Sequence, residues 1–190
     1  MISRDNRLLI RKSIWDEAAN DLYKRKFFKE YRLEASMEAP PKIQGVIIVP
    51  MKRIPDERGA IYHMMRNDDP HFKQFGETYG SWVHPGAIKA WHVHKIMTLN
   101  YVVPVGKIKL VLCDMREDSP TKGVIIEIFL GKEDYSRVSV PPGVANGFKG
   151  LGNEDTLVIN MPTHPYTPGE MTRIDPINGE IPYDWALKHG

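Results

Sequence analysis

The stretch TLNYVVPVGKIKLVLCD, residues 98–114, sets two apolar runs rich in β-branched residues on either side of one glycine, Gly106. Runs of that length and composition fit a pleated, half-buried surface, and an intervening glycine lets the chain reverse. The same unit recurs outward in both directions as GVIIVPMKRI (45–54), AIYHMM (60–65), GVIIEIFL (123–130), RVSV (137–140) and TLVINM (156–161). Between these runs lie turn residues: Asp56 to Gly59, Pro85-Gly86, Ser119-Pro120, Gly131 and Pro141-Pro142-Gly143. Many short strands with regular punctuation predict an all-β domain, a sandwich or jelly-roll barrel that exposes few edges. The closing piece GEIPYDWALKHG has room only for a turn or a short helix.

The first forty residues have a different texture. Ile14, Trp15, Ala18, Leu22, Phe27 and Tyr31 fall near helical spacing with Lys and Arg between them, which predicts a helix over about 13–33 that ends before Pro40-Pro41. The chain is thus expected to consist of an N-terminal helical extension, 1–41, and one β domain, 42–190. A total of 190 residues suits that arrangement and is short for two full domains. Net charge of +2 lacks the basic footprint of a nucleic-acid binder, and no apolar run is long enough to span a membrane. The N-terminus has no signal-peptide pattern, and one cysteine, Cys113, permits no internal disulfide, so a cytoplasmic protein is expected.

Chemistry concentrates in AWHVHK, residues 90–95. On a strand, His92 and His94 project to one side while Trp91, Val93 and Lys95 project to the other. Two imidazoles sharing one space can exchange a proton near neutral pH, hold a metal, or clamp an anion.

The HxH pair, with Gly106 in register behind it and Pro141 and Gly143 further on, resembles the two motifs of the cupins. Leu99 and Asn146 stand where metal-binding cupins carry two of their four ligands. Leucine cannot ligate and an amide ligates poorly, so neither a metal nor another cofactor is expected. A narrower resemblance rests on PDERG (55–59), WHVH (91–94), CDMREDSPTKG (113–123), PPGVANGFKGL (141–151) and PYTPGE (165–170). Taken in order, these segments are similar to the dTDP-4-dehydrorhamnose 3,5-epimerases, metal-independent cupins of deoxysugar-nucleotide synthesis.

The resemblance implies a cupin jelly roll, a homodimer and a nucleoside-diphosphate sugar as ligand. It makes His92 the base that removes the proton next to the sugar ketone. Arg58 and Lys89 match residues at the nucleotide phosphates, Tyr166 lies where the family approaches the nucleobase, and Arg116 with Asp114 matches a D-x-R element. Asn146 replaces the histidine of the family's HGF sequence, and the family's tyrosine acid aligns with Ile159 or Asn160. His94 could supply the second acid or base, as in sugar-nucleotide 3,4-ketoisomerases, whose HxH run this one also resembles. Tyr101 is a further candidate donor.

Removing a proton beside a ketone creates an enolate, which calls for a base near neutral pKa, donors to the oxyanion and a fixed ring. Imidazole answers the first need, and Lys107, Lys109 or a backbone donor on a neighbouring strand is expected to stabilise the enolate. The expected activity is epimerisation of a dTDP-4-keto-6-deoxyhexose. The alternatives are a 3,4-ketoisomerase or a non-catalytic cupin that binds nucleotide sugars.

Overall fold

Along Lys107–Asp114 the side chains of Ile108, Leu110 and Leu112 enter one apolar cluster, while Val111 and Cys113 enter a second. A strand buried on both faces needs a layer on each side, and that requirement organises the domain. In the computed structural model, which describes residues 42–188, there are twelve strands and, among the described residues, no helix. They are β1 (Ile47–Pro50), β2 (Arg53–Asp56), β3 (Gly59–Tyr62), β4 (Tyr79–Val83), β5 (Ile88–His94) and β6 (Leu99–Val105). The second half holds β7 (Lys107–Asp114), β8 (Ile125–Gly131), β9 (Ser136–Val140), β10 (Val144–Leu151), β11 (Thr156–Asn160) and β12 (Met171–Arg173).

Ten strands form two five-stranded antiparallel sheets, ordered β1-β9-β6-β11-β4 and β12-β5-β10-β7-β8. From β4 to β12 successive strands alternate between the sheets except at the β7–β8 hairpin, which makes the domain a jelly roll of the cupin type. Strands β2 and β3 make a separate hairpin that pairs with neither sheet. The main core gathers Leu99, Tyr101 and Val103 from β6, Ile108, Leu110 and Leu112 from β7, and Phe148 and Val158 from β10 and β11. Behind the second sheet, Trp91, Val111, Cys113 and Ala145 pack against Ile181 and Trp185 of the C-terminal segment.

The expected runs at 98–114, 123–130, 137–140 and 156–161 all fall on strands, and 45–54 divides into β1 and β2 at Met51-Lys52. Strands β4, β10 and β12 are additions to the sequence reading. β10 carries Gly147 and Gly150, which weaken a strand signal but are required by packing. A Cβ on Gly147 would lie 2.3 Å from Cβ of Ala90, and one on Gly150 would lie 2.6 Å from the His84 carbonyl oxygen. At Gly106 the reversal between β6 and β7 has φ +76°, and a Cβ there would meet Thr156 Oγ1 at 2.2 Å. Over residues 179–188 the C-terminal segment is irregular chain with bends, with neither the expected turn nor a short helix. The helix expected over 13–33, and the extension 1–41 as a whole, lie outside the described residues.

Candidate active site

Strand alternation carries His92 and His94 to the inner face of β5, opposite Trp91 and Val93, which pack outward against the Trp185 layer. The same rule applied three residues before His92 would turn Lys89 outward. A register shift in the β5–β10 pairing intervenes, with Asn146 opposite His92 but Phe148 opposite Lys89, and Lys89 joins the histidines.

These side chains line a cavity of about 500 Å³, a volume suited to a small organic ligand. The second sheet supplies Lys89, His92, His94, Phe148, Met171 and Arg173. Facing them from the first sheet are Tyr79 and Ser81 of β4, Tyr101 of β6, and Val158 and Asn160 of β11. The segment before β12 adds Tyr166, Thr167 and Glu170 at the mouth.

The two imidazoles have different surroundings. His94 Nδ1 donates to Glu170 Oε2 at 2.6 Å, and Glu170 Oε1 accepts the backbone N–H groups of Lys95, Ile96 and Met97. Burial alone would raise the Glu170 pKa, but the bonds from Ile96, His94 and Met97 outweigh it and hold the carboxylate ionised. An ionised partner accepts and cannot donate, so His94 carries a proton on Nδ1 and turns Nε2 toward the cavity. His92 makes no ring hydrogen bond among the described residues. Its pKa is lowered, first by burial and then by Arg173, His94 and Lys89, so the ring is neutral at physiological pH.

Two asparagines order the opposite wall. Asn146 Nδ2 donates to the His92 carbonyl at 2.9 Å, which turns Oδ1 toward Tyr101, and the Tyr101 hydroxyl donates to it at 2.9 Å. Asn160 Oδ1 accepts the Asn100 N–H at 3.1 Å, which turns Nδ2 toward Tyr79, and Nδ2 donates to the Tyr79 hydroxyl at 2.9 Å. Lys89 Nζ donates to Ser81 Oγ and to the Trp82 carbonyl, bridging β5 to β4.

His92, His94, Tyr101, Lys89, Asn160 and Tyr166 therefore meet around one cavity, and Asn146, beside His92 in the second sheet, accepts the Tyr101 hydroxyl. Arg58 and Arg116 do not line it. Arg58 stands on the β2–β3 hairpin, where its guanidinium pairs with Asp56 Oδ2 at 2.7 Å and its side chain is 84% exposed. Arg116 forks onto both oxygens of buried Asp114 at 2.8 Å and caps the Gln44 carbonyl. Lys107 and Lys109 also lie elsewhere, over the rings of Phe129 and Tyr183, because β7 turns them away from the core. The sequence reading passed over Tyr79, Ser81 and Arg173, all from strands it had not recognised, and gave Glu170 no role.

The dTDP-4-dehydrorhamnose 3,5-epimerase family matches residues 40–189. The chain belongs to that family. Two relatives come from different branches of life. The spore coat polysaccharide biosynthesis protein SpsL of Bacillus subtilis is 32% identical over 142 residues, 75% of this chain and 91% of that one. A probable low-salt glycan biosynthesis epimerase, Agl13 of Haloferax volcanii, is 33% identical over 146 residues, 76% of this chain and 90% of its own. Among solved structures, a dTDP sugar isomerase from Desulfovibrio desulfuricans G20 superposes with TM-score 0.75 at 40% identity, covering 77% of this chain and 94% of that one. The expected jelly roll and the expected isomerase class both hold for this family. No helix of the described residues is long and apolar enough to cross a membrane.

Proposed function

We propose that this family member inverts a carbon beside the ketone of a nucleoside-diphosphate 4-keto-6-deoxy sugar, with His92 as the base. One observation carries the reading: the His92 imidazole, with no ring hydrogen bond among the described residues, lines a cavity that Lys89 and Arg173 also line. A base that is free of its proton at neutral pH can accept one from carbon. Two cations beside it favour the negative charge that builds up on the enolate and the charge of a phosphate on the same ligand. His94, locked by Glu170, presents Nε2 to the same space and holds the sugar in register. Tyr166 at the mouth offers a ring face to the nucleobase.

The proposal extends to a homodimer working in the cytoplasm. The β2–β3 hairpin leaves Ile54 and Ile61 exposed beside Arg58, and apolar side chains gathered on one projecting hairpin fit burial against a second copy. In that arrangement Arg58 reaches a phosphate from across the interface.

The reaction is tested by incubating the protein with a dTDP-4-keto-6-deoxyhexose in deuterium oxide and following the ring protons by NMR. Deuterium should enter at the carbon next to the ketone, and His92→Asn should abolish its entry. Uptake unchanged in that variant would overturn the assignment of the base. A carbonyl that migrates to the neighbouring carbon would replace the epimerase by a 3,4-ketoisomerase.

A further inference from the structure

Inversion at carbon needs two groups, one to take the proton from one face and one to return a proton to the other. His92 and His94 project from the same strand of the same sheet, so the second group must come from the opposing wall. The candidates there are hydroxyls. Tyr101 is excluded by its own bond, because its proton is committed to Asn146 Oδ1, whose orientation the His92 carbonyl fixes. Its ring is also buried in the main core, and burial, followed by the nearby Tyr79, pushes its pKa well above that of an ordinary phenol. Ser81 is an aliphatic hydroxyl, a far weaker acid, and already accepts from Lys89. Thr167 donates to the Pro165 carbonyl, and Tyr166, 72% exposed at the mouth, belongs to the segment that leads into β12, the neighbour of β5 in the histidines' own sheet.

Tyr79 remains, and its surroundings differ in kind. Asn160 is its register partner across the β4–β11 pairing, and the Asn100 N–H holds the Asn160 amide so that nitrogen faces the phenol. The Tyr79 oxygen is therefore an acceptor in that bond, and its own O–H is left to point elsewhere. The ring lines the cavity while remaining 45% exposed, so a proton given up can be replaced from water.

We propose that Tyr79 is the proton donor on the face opposite His92, positioned by Asn160. This rests on the epimerase reading above. His92 breaks the C–H bond and becomes an imidazolium, and the electron pair passes into an enolate. The Tyr79 O–H bond breaks, its proton forms the new C–H bond on the other face, and the enolate returns to the ketone. The tyrosinate then regains a proton from water and the imidazolium loses one to it, which balances the cycle.

The test uses the full chain with Tyr79→Phe, a change that keeps the ring and removes only the oxygen, on the same sugar nucleotide in deuterium oxide. Inverted product should form at least about 100-fold more slowly, the usual scale of an acid or base contribution. Deuterium should still enter the unreacted sugar within about tenfold of the unaltered rate, because His92 can abstract a proton and return a deuteron to the same face. Inversion within threefold of the unaltered protein would overturn the assignment, as would an equal loss of exchange and inversion. An unaltered protein that neither exchanges nor inverts would instead overturn the epimerase reading itself, and the donor with it.

Discussion

Glu170 holds an imidazole and a backbone turn at once, Oε2 accepting from His94 Nδ1 at 2.6 Å and Oε1 from the N–H groups of Lys95, Ile96 and Met97 at 3.0, 3.0 and 3.2 Å. Glu170→Gln keeps one oxygen for the turn but turns an NH2 toward His94. The imidazole then has to accept at Nδ1 and carry its proton on Nε2. Nitrogen-15 NMR of labelled histidine should show that switch of tautomer. Urea unfolding should show a loss of about 1.5–3 kcal/mol, the range for hydrogen bonds to a charged group. An unprotonated Nε2 in the variant would contradict the arrangement.

The neutral state of His92 sets a pH dependence. With its pKa below the ordinary 6.5, first through burial and then through Arg173, His94 and Lys89, the base stays unprotonated down past that value. Values of kcat/KM should therefore hold level from pH 8 to 6.5 and fall only below it. The same shift acts on stability. The unfolded chain binds this proton more readily, so His92 contributes nothing adverse above pH 6.5 and weakens the fold as pH drops toward its folded pKa. Arg173→Met should move the His92 titration upward in an NMR titration of the free protein, and a shift downward would count against the pairing.

Asp114 is buried, and burial alone would raise its pKa. Arg116, Ser119 and Thr121 all donate to it and outweigh that cost, so the group is held well below the carboxylate range. Its contribution is complete above the unfolded value near ~3.9 and disappears as pH falls through the folded one. Asp114→Asn should cost about 3 kcal/mol at pH 7, since it leaves the Arg116 guanidinium without its counter-charge. The difference between variant and parent should shrink in thermal melts taken below pH 4. A constant gap across pH would show that packing, not charge, is what was lost.

Gly147 has no room for a methyl group. A Cβ would sit 2.3 Å from Ala90 Cβ and 3.2 Å from the Trp185 ring, so Gly147→Ala must push β10 away from β5. A loss of about 2–3 kcal/mol is expected from overpacking at that spot. It should appear as a lowered melting temperature together with weakened sugar-nucleotide binding, because Asn146 and His92 are paired across the same two strands. A variant as stable as the parent would mean the strands lie further apart than described.

Much of this was legible in residue order. The β-branched runs around Gly106 marked β6 and β7, and period-two alternation alone put His92 and His94 on one face. What stayed hidden shares a physical cause. β4 and β10 are interrupted by Gly80, Gly147 and Gly150, whose small size serves close approach and weakens the strand pattern, so Tyr79 and Ser81 were passed over. Lys89 reached the cavity only through a register shift, which no periodicity announces. Arg58 and Arg116 carried the right motifs, yet within one chain both are engaged by neighbouring aspartates away from the cavity.

Positions 79 and 160 face each other across the outermost rung of their sheet, since β4 has a single neighbour. An acidic hydroxyl can thus be handed from one strand to the next without disturbing the imidazoles on the far wall. With Tyr79 as the proton donor, the acid stands on a border strand held by one neighbour, apart from the sheet that carries the imidazoles.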